Sequence, residues 1–368
     1  MIMRNTTLRP AMMALLAAAI ILGMTSLTFA QSKTASQETG MRTSDQKGAS
    51  MYGTYCSFCH GKHGQGYLAD KAPAIGNQNF LKSADNAYIS QAIIQGRPGT
   101  TMSAWGKAYG GALTNKEVQA IVSYIRRWQR GKSVDLSSIK ISGDAEKGVG
   151  IYRKHCAVCH GKKGSKGKYV ELDNSVFQQT ASDGFIQYAV LHGRPGTPMP
   201  SFKSRLTDQE INDVIAYIRT LKGESAPKMA AGSAKSVPTS KATVGVLNPG
   251  KEPAVFSLSK KQFVSVDEVY KAYAAGKSFI LLDARPHSDY LKDHITGAVS
   301  IPFYDVKKEL SRLPKTIWII TYCACPHAMS AEAAAVLKKA GYHKVGILDE
   351  GFFNWKGKGY PTESGDGS

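Results

Sequence analysis

Apolar and polar positions follow one helical pattern in two stretches of the chain, a hundred residues apart. Gly48-Ala49-Ser50-Met51-Tyr52 places a small residue and an aromatic on one face of a helix running toward residue 56. Gly148-Val149-Gly150-Ile151-Tyr152 does the same toward residue 156. Farther along, Thr114-Asn115-Lys116-Glu117 and Thr207-Asp208-Gln209-Glu210 are Thr-x-x-Glu capping boxes, predicted to open helices that end at Tyr124-Ile125-Arg126 and Tyr217-Ile218-Arg219. A Gly/Pro-rich loop precedes each box, Gly96-Arg97-Pro98-Gly99-Thr100-Thr101-Met102-Ser103-Ala104-Trp105 and Gly193-Arg194-Pro195-Gly196-Thr197-Pro198-Met199-Pro200-Ser201-Phe202. One methionine and one aromatic keep their places in both, so the chain contains an internal duplication.

After Leu221 the pattern dissolves into Ala, Ser, Lys, Gly and Pro. Such a composition cannot bury a core, and residues 223–252 are expected to form a flexible tether that would let the C-terminal region swing. Beyond it the periodicity changes. Residues 266–273 read as an amphipathic helix, Phe279-Ile280-Leu281-Leu282 as a buried strand, 316–322 as another, 330–340 as a helix and 345–348 as a further strand. Strands alternating with helices predict a parallel sheet covered on both faces.

The repeated unit carries its chemistry between these elements. Cys56-Ser57-Phe58-Cys59-His60 and Cys156-Ala157-Val158-Cys159-His160 are two C-x-x-C-H motifs, the spacing of covalent c-type haem attachment. Each cysteine can form a thioether to a vinyl group, and the following histidine can bind iron. With these motifs and the matched methionine loops, residues 45–130 and 144–222 resemble the class I cytochromes c. The resemblance implies two all-α domains and two covalently bound c-type haems. Cys56, Cys59, Cys156 and Cys159 would be the attachment points, with His60 and His160 proximal to iron and Met102 and Met199 as distal thioether ligands. A soft sulfur there favours ferrous iron and raises the potential. His63 and His192 are rival ligands, but neither has a counterpart in the other repeat. Ala72-Pro73-Ala74-Ile75 is similar to the family segment whose proline carbonyl accepts the proximal His N–H, and the second repeat has no matching proline.

In the third region, Leu282-Asp283-Ala284-Arg285, His294-Ile295-Thr296-Gly297-Ala298-Val299-Ser300-Ile301-Pro302, a cysteine directly after an apolar strand, and Leu348-Asp349-Glu350-Gly351-Phe352-Phe353-Asn354-Trp355 resemble the rhodanese-homology domain. The resemblance implies an α/β domain over residues 253–364. A cysteine where a parallel strand meets a helix faces backbone N–H groups that stabilise thiolate and bound anions. In the family it accepts sulfane sulfur as a persulfide, which makes Cys323 the candidate nucleophile. The loop Cys323-Ala324-Cys325-Pro326-His327-Ala328-Met329-Ser330 departs from the family in four ways. It is one residue longer, Pro326 removes an N–H, Met329 replaces a common arginine, and Cys325 adds a thiol. Cys325 reads as a resolving thiol, half of a readily reduced disulfide, or a bystander. His327 is a candidate cation near the anion or a solvent-exposed loop residue. The resemblance gives Asp283 and Arg285 the task of pinning the strand end, and His294 that of a loop clamp.

Charge and address narrow the setting. The first thirty residues lack acids, carry Arg4 and Arg9, run apolar from Ala11 to Met24 and end Thr28-Phe29-Ala30. They are expected to be a signal peptide, residues 1–30, cleaved after Ala30, with an uncleaved membrane anchor as the alternative. Export and c-type haem both point to the periplasm, and four of the six cysteines are consumed by haem. A formal charge of +19 should steer acidic redox partner proteins, small sulfur anions or persulfides, unless it is only a solvated lysine surface. Nucleic acid does not suit an exported haem protein. The expected function is a periplasmic dihaem cytochrome c with a rhodanese-like module handling sulfane sulfur through a Cys323 persulfide, as a sulfurtransferase or a sulfur-compound oxidoreductase. The alternative is an electron carrier whose third domain is a non-catalytic docking module. A cysteine phosphatase ranks last, because Met329 stands where such loops carry an arginine.

Overall fold

The computed structural model describes residues 45–67, 72–223, 245–324 and 327–365. The expected signal segment and residues 224–244 of the tether lie outside these. The first repeat consists of a helix over 45–55, then Ser57–His60, Gln78–Ser83, Asn86–Gln95 and Asn115–Arg126. The second repeats that order in Ala145–His155, Ala157–His160, Ser175–Thr180, Asp183–His192 and Asp208–Thr220. Both capping boxes close, with the Thr114 and Thr207 hydroxyls accepting from the N–H of Glu117 and Glu210.

In each repeat the first helix crosses the last at a glycine. A Cβ on Gly48 would lie 2.2 Å from the Ala120 carbonyl oxygen, and one on Gly148 2.0 Å from that of Asp213. Only glycine allows so close an approach. One turn later Tyr52 and Tyr152 are buried, and their hydroxyls donate to the carbonyls of Gly61 and Gly161 at 2.7 and 2.9 Å, fixing the helix to the end of the C-x-x-C-H turn. Arg126 and Arg219, at the ends of the last helices, reach back to the carbonyls of Ala84 and Ala181.

The two repeats meet through equivalent surfaces. Asn77 Nδ2 donates to the Pro195 carbonyl at 2.7 Å, and Asn174 Nδ2 to the Pro98 carbonyl at 2.8 Å. Tyr88 and Phe185 lie across the junction with ring centroids 4.7 Å apart.

The third domain contains a five-stranded parallel sheet in the order β1-β6-β5-β2-β4, made of β1 (Phe263–Val264), β2 (Ile280–Asp283), β4 (Val299–Ser300), β5 (Ile319–Tyr322) and β6 (Val345–Leu348). β3 (His294–Ile295) pairs antiparallel with β7 (Thr362–Glu363). Alternate strand residues enter opposite layers. Ile280, Leu282 and Ile319 join the layer of Ala333 and Leu337, while Leu281, Ile320 and Leu348 join that of Val269 and Trp355. The sheet is thus covered on both faces, as the strand and helix alternation predicts. The predicted helices are observed as Val266–Ala274 and Ala328–Lys339. The end of the tether is not free of the domain, since Leu247 N–H donates to the Phe279 carbonyl and the Glu252 carbonyl accepts from Ser278 N–H.

This domain rests on the first repeat. Ser103 donates to Asp289 at 2.6 Å, and Ser288 donates to the Ala104 carbonyl at 2.7 Å. Tyr55, Phe58 and Trp105 pack against Phe303 and Tyr304. Among the described residues no helix is long and apolar enough to cross a membrane.

Candidate functional site

Each C-x-x-C-H motif begins where a long helix stops and a single helical turn follows, which gathers both cysteines and the histidine at one helix end. His60 Nδ1 donates to the Pro73 carbonyl at 3.0 Å, and His160 Nδ1 to the Val170 carbonyl at 2.7 Å. The second repeat therefore has its acceptor without a proline, because any backbone carbonyl can serve. Both bonds leave Nε2 as the unprotonated nitrogen, oriented and made more basic by the acceptor. Burial holds both imidazoles below the ordinary histidine value, the carbonyl acceptor opposing it, so the neutral, metal-binding form prevails. Burial, with the neighbouring cysteine adding to it, pushes Cys56 and Cys156 up to about 12.

The methionine loops are built alike. Arg97 N–H donates to the Met102 carbonyl at 2.8 Å, the Thr100 hydroxyl donates to the Arg97 carbonyl at 2.7 Å, and Met102 N–H donates to that hydroxyl at 3.1 Å. Arg194, Thr197 and Met199 repeat the ring at 2.9, 2.7 and 3.2 Å. Gly96 and Gly193 turn into these loops at φ 66° and 59°, where a side chain would strike backbone.

All eight expected haem residues, Cys56, Cys59, His60, Met102, Cys156, Cys159, His160 and Met199, line one continuous cavity of about 780 Å³. Its walls are mostly apolar, including Ile89, Ile93, Trp105, Phe177, Ile186 and Phe202. His63 and His192, the rival ligands, are exposed and do not line it; the His192 ring packs tilted against Tyr188, with centroids 4.3 Å apart.

The residues present fit c-type haem. Thiols, a neutral imidazole and a thioether face an apolar cavity, and the buried Arg97 Nη1 has no protein hydrogen-bond partner. An anionic propionate would satisfy it. Arg194, its equivalent, also lines the cavity and sits over the Phe185 ring at 5.3 Å. Burial lowers Arg194 to about 10, opposed by Tyr88, Tyr188 and Tyr67. These two arginines were not singled out from the sequence, although their identical place in both loops was the available signal.

Cys323 follows β5 and is 1% exposed. Its Sγ lies 3.3 Å from the Ser330 hydroxyl, and its carbonyl accepts from Phe352 N–H at 2.9 Å. Cys325 and Pro326 lie outside the described residues. His327 turns to Asp349, with Nε2 3.2 Å from Oδ1, and packs on Phe263. Asp283 and Arg285 form a buried bidentate pair, and Arg285 also donates to the Asp293 carbonyl. His294 bridges the Tyr290 carbonyl and Glu363. Met329 and Phe353, on the helices after β5 and β6, reach the wall of the haem cavity.

Residues 43–125 and 143–218 match the family described as Cytochrome C oxidase, cbb3-type, subunit III, and residues 265–358 match the Rhodanese-like domain. The cbb3-type cytochrome c oxidase subunit FixP of Azorhizobium caulinodans is 26% identical over 183 residues, covering 48% of this chain and 59% of that one. Cytochrome c6 of Thermosynechococcus vestitus is 33% identical over 92 residues, covering 23% of this chain and 77% of its own length. A solved rhodanese-like domain from Anabaena sp. is 36% identical, with a TM-score of 0.23, covering 24% of this chain and 93% of that one. The chain spans about three fifths of the length of the cbb3-type relatives it matches.

Proposed function

We propose a function for a chain that belongs to the cytochromes c over residues 43–125 and 143–218 and carries a rhodanese-like domain over residues 265–358. It is a periplasmic dihaem electron carrier whose third domain takes up sulfane sulfur on Cys323, so that sulfur-compound oxidation feeds electron transfer. One observation carries this reading: both C-x-x-C-H motifs and both loop methionines line a single cavity, and Met329 from the Cys323 loop lines it too.

Bound haem supplies reversible one-electron exchange. The chain's residues set its conditions. Cys56, Cys59, Cys156 and Cys159 hold the porphyrins, while Pro73 and Val170 fix the tautomers of His60 and His160 through their carbonyls. Arg97 and Arg194 offer charge to the propionates, and the apolar wall excludes water, which favours the lower net charge of ferrous iron.

On the sulfur side, uptake forms one S–S bond at Cys323 and breaks one in the donor, releasing no electrons. Joining the outer sulfur to sulfide, Cys323–S–S⁻ + HS⁻ → Cys323–S–S–S⁻ + H⁺ + 2e⁻, releases a pair, one for each haem. The formal charge of +19 supports acidic redox proteins as partners and small sulfur anions as substrates.

A second reading, an electron carrier with a non-catalytic third domain, draws on the Ser103–Asp289 and Ser288–Ala104 bonds, by which that domain braces the Met102 loop. Mass analysis of holoprotein separates the two. The favoured reading expects two haems per chain and one added sulfur on the Cys323 peptide after exposure to polysulfide. Two haems with an unmodified Cys323 leaves the second reading, and a chain with no haem contradicts both.

A further inference from the structure

In an open parallel sheet, ligands are met at the carboxyl ends of the strands. The third domain turns that end toward the first repeat. Ser288 and Asp289 lie on the short helix after β2, Phe303 and Tyr304 follow β4, Met329 follows β5 and Phe353 follows β6. The first four touch Ser103, Ala104, Tyr55, Phe58 or Trp105 of the first repeat, and the last two line the haem cavity. The contact is closely packed: Ser288 is 3% exposed, Phe303 4% and Ser103 2%. Cys323 lies beneath this face, between Ser330 and the backbone of Phe352.

We propose that the sulfur-binding face of the third domain is docked on the first haem-binding domain, so that Cys323 exchanges only with small sulfur anions. Protein thiols and other macromolecular acceptors are shut out. The inference rests on the reading of Cys323 as the sulfur acceptor, and it narrows the sulfur donors to thiosulfate or inorganic polysulfide, with sulfide as the acceptor of the outer sulfur. The rim of the haem cavity carries exposed Lys154 and Arg205, which attract small anions to the protein surface there. Val158 and Phe353, 75% and 50% exposed, also line it and mark where it meets solvent.

The experiment uses full-length holoprotein carrying Cys325→Ser. Of six cysteines, four are then in thioethers, and Cys323 is the one thiol left. Its alkylation is timed with iodoacetamide and with a polymer-linked maleimide, in that chain and with Phe303→Ala or Ser103→Asp added. Either change weakens the docking, the second by setting a carboxylate against Asp289. Docking predicts that each addition speeds the polymer reagent about tenfold or more while iodoacetamide changes little, because a bulky reagent waits for the undocked fraction. Polymer rates unchanged by both variants would overturn the proposal. Alkylation needs no sulfur chemistry, so a parallel incubation with inorganic polysulfide keeps the two claims apart. Size-selective access without an added sulfur on Cys323 refutes the acceptor role and leaves docking standing, whereas an added sulfur with equal access to both reagents does the reverse.

Discussion

Asn77 donates its side-chain amide to the carbonyl of Pro195, in the methionine loop of the other repeat, at 2.7 Å, while its Oδ1 caps the helix Gln78–Ser83 through the N–H groups of Asn79 and Phe80. One side chain thus ends a helix and fixes the partner domain. Asn174 does the same toward Pro98. Replacement by Asp keeps the cap acceptor and removes the donor, whereas Ala removes both. Asn77→Ala should cost about 1–2 kcal/mol in chemical denaturation, and Asn77→Asp should retain the cap yet loosen the junction between repeats. Matched stability in Asn77→Ala and wild type would show that the junction carries no weight.

The glycine crossings make a sharper demand. Gly148→Ala brings a methyl to within 2.0 Å of the Asp213 carbonyl oxygen unless the helices part. Overpacking of this kind costs about 1–3 kcal/mol, and Gly48→Ala should behave alike. Gly150, whose added Cβ would meet nothing within 4 Å, is the control, and Gly150→Ala should be neutral or slightly stabilising by thermal unfolding.

Met102→Ala and Met199→Ala should each remove one sulfur-to-iron charge-transfer band and lower the potential of one centre, since thioether sulfur stabilises ferrous iron. Optical redox titration of holoprotein reads both effects. Unchanged spectra and potentials in both variants would exclude these methionines as ligands.

The caps give a pH dependence. The Thr114 backbone N–H, bonded to the Glu117 carboxylate, holds that carboxyl below the ordinary glutamate value, with burial opposing it. A depressed folded-state value means that the stabilisation is complete above the unfolded value and is lost as pH falls through the folded one. Glu117→Ala should cost about 1 kcal/mol near neutrality, and the gap to wild type should shrink on acidification below the glutamate range. Melting temperatures across that interval test the sign.

Much of this architecture is legible in the chain because local chemistry fixes it. The Thr-x-x-Glu boxes, the Gly/Pro loops and the C-x-x-C-H turns each satisfy their own backbone, so residue type and spacing suffice. The His160 partner was hidden for the opposite reason: a carbonyl acceptor leaves no side-chain signature, and Val170 takes the place of Pro73 without resembling it. The facing of the repeats and the docking of the third domain depend on Asn77, Asn174, Ser103, Ser288 and Phe303. These residues look like ordinary caps and loop positions until the surfaces meet. The tether composition predicts a domain free to swing, yet tertiary contacts hold it against the first repeat.

The central claim is that sulfur chemistry at Cys323 supplies electrons to the haems of the same chain. Stopped-flow mixing of oxidised holoprotein with inorganic polysulfide and sulfide, in wild type and Cys323→Ser, tests it most directly. The account predicts fast haem reduction in wild type, independent of protein concentration, and a loss of about tenfold or more in Cys323→Ser, because a tethered site outcompetes dilute encounters. Equal rates in the two chains would contradict it, since polysulfide would then be reducing haem without the third domain.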